Sequence, residues 1–289
     1  MSTEQDLIRS MISGFYDFQK LRIAAGNRIA AQFKAKLGQN PSQPEEEGIT
    51  DEEDQNLLKT LRTEYRKLMD GVKQVRLATF KATPVISTFT EFILLQQYLD
   101  LEEMEKHHAP QIEKRLVMFP IYEAFLNTIK GCGPLMSGVI LCEIDITKAR
   151  YPSSLWQYAG LGVGSDGTGM SRRKEHLVQR PYTDKDGTPA VRASIVYNPW
   201  LKTKLMGVLA PCLLKAANPV YRPIYDQYKH RTTTDPAKAE WSKGHHHQAA
   251  MRYMIKRFLV DLYKAWRPLE GLPVAPEYHE AKHGHQHSS

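Results

Sequence analysis

Two short stretches carry residue types that could hold a phosphate. The first is Lys130-Gly131-Cys132-Gly133-Pro134-Leu135-Met136. Glycine tolerates positive φ and admits close backbone approach, and proline suits the first position of a helix. A helix starting at Pro134 leaves the amides of Leu135 and Met136 without intrahelical partners, at the positive end of the helix dipole. Lys130 adds a full charge beside them. A DNA phosphate fits that description, as in a helix-hairpin-helix contact. An ordinary turn between two helices, with glycine closing the first, would use the same residues. The second stretch is Ser171-Arg172-Arg173-Lys174, after a polar, glycine-rich loop from Gly162 to Gly169. Positioning a phosphate asks only for charge and reach. A solvated basic loop would read the same way.

Metal chemistry has weaker support. His245, His246 and His247 are adjacent on a helix, so their rings point about 100° apart and cannot converge on one ion. His283, His285 and His287 fall in a polar tail. Glu143 and Asp145 read as carboxylates flanking a helix end, since a two-metal nuclease would need further acids. The residues therefore support no cofactor, and Mg2+ enters only if a partner supplies an acidic site. Met136 and Met254 sit on apolar faces as core filler.

The elements that must position these groups are helical. The chain has 289 residues, 42% hydrophobic and 25% charged, which is enough apolar content for a real core. The formal charge of +7 favours an anionic partner. No apolar run is long enough to cross a bilayer, and the polar start Met1 to Asp6 is not a secretion signal. Three cysteines, an odd number without paired spacing, fit a reduced, cytoplasmic protein with buried thiols.

Apolar spacing predicts a helix over 6–37, with Ile8, Ile12, Phe15, Ile29 and Phe33 on one face. A loop follows from Gly38 to Gly48, and Thr50 with Glu53 reads as a capping box. A second helix carries Leu57 through Leu68, Val72 and Val75. A third, beyond Pro84, carries Phe89 to Met104 and ends at Pro110. Residues 119–129 read as helical up to the glycine turn, and Ser153 or Ser154 caps a short helix with Trp156 and Tyr158. Asp184-Lys185-Asp186-Gly187 signals a hairpin turn. Asn198-Pro199 and Asn218-Pro219 start helices, the first burying Leu201, Leu205, Val208, Leu209, Cys212 and Leu213. A last helix spans His245 to Trp266, stopped by Pro268. The expected fold class is mainly α: long antiparallel N-terminal helices, then a helical domain with a helix-hairpin-helix-like turn and at most a short hairpin. The expected divisions are 1–110 helical bundle, 111–270 DNA-binding domain and 271–289 disordered His-rich tail.

The order of the motifs resembles a known family. Ile129-Lys130-Gly131-Cys132-Gly133-Pro134, then Leu141-Cys142-Glu143-Ile144, then Trp156-Gln157-Tyr158-Ala159-Gly160-Leu161, and a late helix opening His246-His247-Gln248-Ala249-Ala250, are similar to the C-terminal domain of a bacterial insertion-sequence transposase family. Piv-type DNA invertases belong to that group. The resemblance covers roughly residues 110 to 267. It implies DNA transposition or recombination by strand breakage and rejoining, with a guide RNA as partner, in the bacterial cytoplasm at the nucleoid. Members pair an N-terminal RuvC-like nuclease domain with a C-terminal serine nucleophile. No strand-like run here holds a catalytic aspartate, for Asp17 lies within a helical stripe, so the nuclease domain is missing or comes from a separate chain. The stretch matching the serine is Ser165-Asp166-Gly167-Thr168-Gly169, which makes Ser165, Thr168 and Ser171 the candidate nucleophiles. The implied DNA contacts are Lys130, Gly131, Gly133, Leu135, Met136, Arg172, Arg173 and Lys174. Two other readings stay open: a non-catalytic DNA-binding protein derived from such an element, and a helical protein-interaction scaffold that forms a homo-oligomer through its N-terminal helices.

Overall fold

The computed structural model describes residues 3–38, 49, 52–164 and 166–276. The loop from 39 to 48, the Thr50 cap, Ser165 and the histidine-rich tail lie outside the described residues. Helices dominate, and the sheet among the described residues is one antiparallel pair, so the chain is mainly α with a short hairpin. Two units divide it: Ser10–Ile112, and Met1–Arg9 together with Glu113–Ser289.

The first unit holds α2 (Glu52–Met69) and most of α1 (Thr3–Lys36) and α3 (Phe89–Leu116), whose ends at 3–9 and 113–116 belong to the second. Residues three or four apart on each helix meet in one core: Ile29 and Phe33, Leu58 and Leu61, and Phe92, Leu95 and Tyr98. Polar ties cross it. Arg22 Nε lies 2.5 Å from Glu105 Oε2, Lys34 Nζ 2.5 Å from Asp54 Oδ1, and Lys36 Nζ 3.0 Å from Glu91 Oε2. Thr88 caps α3, accepting from the Glu91 amide at 3.2 Å while Glu91 accepts from the Thr88 amide at 3.3 Å.

Two expectations change here. Pro110 does not end its helix; α3 continues to Leu116. An interior proline costs about 3 kcal/mol. Ile112 and Leu116 are each 0% exposed, and burying two such side chains contributes roughly 3–6 kcal/mol, which offsets the loss. The second helix stops at Met69, where Gly71 takes a φ of 70°, leaving Val72 47% exposed instead of on the buried stripe.

In the second unit, α10 (Lys243–Leu269) is the central element and packs against α4, α6 and α9. Met251, Met254, Ile255, Phe258, Leu259, Leu262 and Trp266 form its buried face. Near its end the buried Arg267 donates from Nη1 to the Ala149 carbonyl at 3.0 Å and from Nε to the Pro273 carbonyl at 2.7 Å. Pro268 falls within the last turn, so the helix ends two residues later than a proline stop would put it. The run from Phe119 to Ile129 is also not one helix. Phe125, with φ −144° and ψ −60°, separates α4 (Pro120–Ala124) from a single 3-10 turn, Leu126–Thr128.

Next come α5 (Pro134–Glu143) and α6 (Pro152–Tyr158). Tyr151 holds the cap position of α6, and Ser154 accepts back from the Tyr151 amide at 3.3 Å. Ser153 and Ser154 are thus inside the helix, not at its cap. The hairpin pairs β1 (Val178–Thr183) with β2 (Pro189–Ser194). Asp184 accepts from the amides of Asp186 and Thr188 at 3.0 and 2.8 Å, and Gly187 takes a φ of 82°. Asn198 caps α7 (Pro199–Lys204) through the Leu201 amide at 3.0 Å.

A π-turn, Leu205–Leu209, joins α7 to α8 (Ala210–Lys215). Pro211 lacks the N–H that would bond the Gly207 carbonyl, and the wider turn absorbs the defect. Its extra residue changes which side chains face inward. Leu201, Leu205, Leu209 and Leu213 are all buried at a spacing of four. A regular helix would overshoot by about 120° over those three turns, and the inserted residue takes up about 100° of it. Val208, 38% exposed, and Cys212 rotate outward, contrary to the regular-helix expectation. Cys132 and Cys142 are buried, and burial pushes their thiols up to about 11 and about 12. α9 (Tyr221–Thr234) leads on to α10.

Candidate functional site

The glycine turn lies open on one side. Gly131 takes a φ of 99°, and a Cβ there would stand 2.9 Å from the Cys212 carbonyl oxygen. Its missing side chain admits the protein's own α8, not a ligand. Gly133 differs: its φ is −75°, and a Cβ would meet nothing within 4 Å. It borders a hollow of about 380 Å3 with Cys132, Lys215 and Ala216. Ser137 is the first intrahelical donor of α5, bonding the Gly133 carbonyl at 3.0 Å, so the Leu135 and Met136 amides precede the ladder. Lys130 is exposed, whereas the Met136 side chain is 4% exposed and packs inward. Asn218 braces the corner. Its Nδ2 donates to the Lys130 carbonyl at 2.8 Å, and its Oδ1 accepts from the Val220 and Tyr221 amides at 2.9 and 3.0 Å.

A larger cleft, about 650 Å3, opens between the loop from Val163 to Arg173 and helices α7, α9 and α10. Lys202, Arg252 and Lys256 line it. Burial lowers the pKa of all three, and Arg252 further depresses both lysines; Lys202 is pushed down to about 8. None of the three pairs with a carboxylate among the described residues. Lys202 donates to the Met170 carbonyl and sits 4.8 Å from the Tyr197 ring centroid. Lys256 lies 5.3 Å from that of Trp156. Arg252 Nε is buried without a hydrogen-bond partner. Desolvated like charges lacking a counter-charge are unfavourable unless an anion joins them.

The glycines of the loop make room for polar side chains. A Cβ at Gly169 would stand 1.3 Å from Arg252 Nη1, and one at Gly164 would stand 2.6 Å from His176 Nε2. His176, 4% exposed, organises the hydroxyls. The Ser171 amide donates to His176 Nδ1 at 2.9 Å, which makes that nitrogen the acceptor and places the proton on Nε2. Nε2 then donates to Asp166 Oδ1 at 3.1 Å. Ser171 Oγ also lies 2.9 Å from Nδ1. The connectivity is hydroxyl, imidazole, carboxylate. Thr168 Oγ1 donates to Asp166 Oδ2 at 2.7 Å and lies 3.5 Å from Nε2. Bonds from the Thr168 hydroxyl, the Thr168 amide and His176 hold the Asp166 carboxyl well below the usual range.

The structure brings together Thr168, Ser171 and Arg173 in the cleft lining. Arg172 and Lys174 are exposed but do not line it; Gly131 and Gly133 line the separate hollow, and Lys130 is exposed beside that turn without lining it. Ser165 lies outside the described residues. Glu143 accepts from Asn198, and Asp145 accepts from the Thr147 amide and pairs with Lys148 at 3.0 Å. His245, His246 and His247 go separately to Trp241, Thr232 and Tyr225. No group of three metal-ligating residues occurs among the described residues, and no described helix is long and apolar enough to cross a membrane.

Sequence reasoning missed Lys202, Arg252, Lys256 and His176. A usable signal existed for the cations. Arg252 and Lys256 are like charges at i,i+4, and none of the three has an acid three or four residues away. Comparison with known proteins found no matching family model, no matching curated protein and no matching solved structure.

Proposed function

We propose that the protein is a transposase-like DNA-binding protein acting in DNA transposition and recombination. The observation that carries the reading is the cleft: three half-buried cations without a carboxylate partner among the described residues, beside an ordered hydroxyl–imidazole–carboxylate cluster. The motif order read from the sequence supports it independently. DNA phosphates supply the counter-charge to these cations, and Arg173 extends the grip at the rim. The exposed Lys130, with the Gly133 side of the turn, holds a second stretch of backbone.

The chemistry is transesterification at phosphorus. Once the Ser171 amide releases Nδ1, whose one lone pair it holds in this structure, Ser171 Oγ attacks, its proton passes to His176 Nδ1, and Asp166 stabilises the imidazolium through Nε2. A Ser171–phosphate ester forms as the bond to the leaving strand oxygen breaks, and that oxygen takes the proton back. Lys202, Arg252 and Lys256 stabilise the charge on the phosphorane. A guide RNA, implied by the family resemblance, would direct the site, and Mg2+ would enter only with an acidic site that a separate chain supplied.

The non-catalytic reading has its own observation. The Ser171 amide already uses the Nδ1 lone pair, so the cluster also serves as a clasp for the loop. One experiment separates them. The protein is incubated with duplex and branched DNA and any co-encoded RNA, and strand transfer and binding are both measured. Ser171→Ala and His176→Ala should abolish transfer and spare binding. If the unaltered protein binds without transfer under all these conditions, it is a DNA-binding protein only.

A further inference from the structure

Aromatic rings share the cleft with the cations, and the phosphate reading leaves them without a role. Tyr228, Trp241, His245 and Tyr253 all line it. They form two stacked pairs. Tyr228 and Tyr253 have centroids 4.5 Å apart at 22°, and Trp241 and His245 are 4.0 Å apart at 4°. The Arg231 guanidinium lies 4.8 Å from the Tyr228 centroid. These rings belong to α9, α10 and the segment between them. Tyr253 remains 37% exposed despite its partner. Tyr228 and Trp241 are half-buried and His245 is exposed, so the four rings form one partly accessible aromatic cluster within a concave site.

Resting on the reading of the cleft as a phosphate site, we propose that it accepts an unpaired strand: the Lys202, Arg252 and Lys256 side hold the backbone while bases stack on the Tyr253 and Trp241 pairs. Every base has a π-face, so such stacking tolerates any sequence. A paired duplex keeps its bases stacked on one another and offers only its backbone. The cleft volume of about 650 Å3 lies in the range of small-ligand sites, ~300–1,000 Å3, which suits a few nucleotides and not a double helix. The substrate class is single-stranded nucleic acid, such as a displaced or melted strand at the reaction site.

The test uses the full chain and three labelled probes: a single-stranded DNA, the same strand with abasic sites at its centre, and the corresponding duplex. Affinity is read by anisotropy, and, because the chain has four tryptophans, stacking on Trp241 is read as the part of the emission change that Trp241→Ala removes. The intact strand should bind tightest, abasic sites should weaken it roughly tenfold, and its binding should quench Trp241. Tyr253→Ala should lower intact-strand affinity part of the way to the abasic level, the Trp241 pair still stacking, and should affect the abasic strand less. Tyr253→Phe should restore it, which a folding defect would not allow, and Trp241→Ala supplies an independent variant. Equal affinity for intact and abasic strands, or tighter duplex binding, overturns the stacking role while the phosphate site stands. Absence of salt-sensitive binding to every probe overturns the phosphate site itself.

Discussion

Arg252 Nη1 occupies the space that a side chain on Gly169 would need, 1.3 Å from where its Cβ would lie. That contact links the glycine-rich loop to α10. It explains why a position with no positive φ is nonetheless glycine: the absent atom seats the half-buried Arg252 guanidinium that lines the cleft.

Gly169→Ala should therefore displace Arg252 while leaving the backbone undisturbed. Loss of one charge-assisted contact is worth about 1.5–3 kcal/mol, so DNA affinity should fall by roughly tenfold or more with little change in Tm. Gly167→Ala is the contrast. Gly167 has a φ of 74° and open space around it, so alanine there should strain the loop and lower stability by about 1 kcal/mol. Binding and melting measurements on both variants check the pair.

Lys202 gives the site a pH dependence. Burial and Arg252 set its pKa at about 8 instead of 10.5. Its charge is present below that value and lost as pH rises through it. Binding to DNA should weaken from pH 8 upward, where surface lysines stay charged, and Lys202→Arg should flatten the profile. Folding stability should move the other way: between pH 8 and 10.5 the unfolded chain binds more protons, so Lys202 contributes stability that rises with pH. Titrations of binding and of Tm from pH 7 to pH 10 read both signs.

Asn218 joins two turns through three hydrogen bonds. Asn218→Ala removes the acceptor of the Val220 and Tyr221 amides at the start of α9 and leaves the Lys130 carbonyl without that donor, for a loss of about 2–3 kcal/mol. Asn218→Asp keeps the acceptor for the Val220 and Tyr221 amides but lacks the donor, so its loss should be smaller. Denaturant unfolding ranks them; equal stability of the two would remove the brace from the account.

His176 should matter to chemistry and to loop order in separable ways. His176→Gln retains hydrogen-bonding groups but not the base, and should abolish strand transfer while keeping most binding. Ser171→Ala should do the same, and Thr168→Ala, which frees one oxygen of Asp166, should slow transfer without abolishing it. Abolition by Thr168→Ala alone, with Ser171→Ala active, would move the nucleophile to Thr168.

The helices were legible where their apolar spacing is regular. Ile29 with Phe33, Leu58 with Leu61, and the face from Met251 to Trp266 follow from periodicity alone. Pro110 was misread because its cost is local while the burial of Ile112 and Leu116 is not. Val208 and Cys212 were misplaced because a π-turn shifts the helix phase, and Pro211 was its only sign. The turn at Gly131 and Gly133 was visible as a turn, but which glycine serves packing and which faces solvent depends on α8, far along the chain. The cleft was least legible. Lys202 and Arg252 sit fifty residues apart on helices where each reads as a solvated face, and only the fold desolvates them together.

The central claim is that Lys202, Arg252 and Lys256 hold nucleic-acid phosphates. The direct measurement is the salt dependence of single-strand affinity for the unaltered protein and for the triple variant Lys202→Gln/Arg252→Gln/Lys256→Gln. With about 0.7 counterions released per phosphate neutralised, the slope of log affinity against log salt should become shallower by roughly 2 in the variant, with the fold intact by circular dichroism. An unchanged slope and affinity in a folded triple variant would contradict the account.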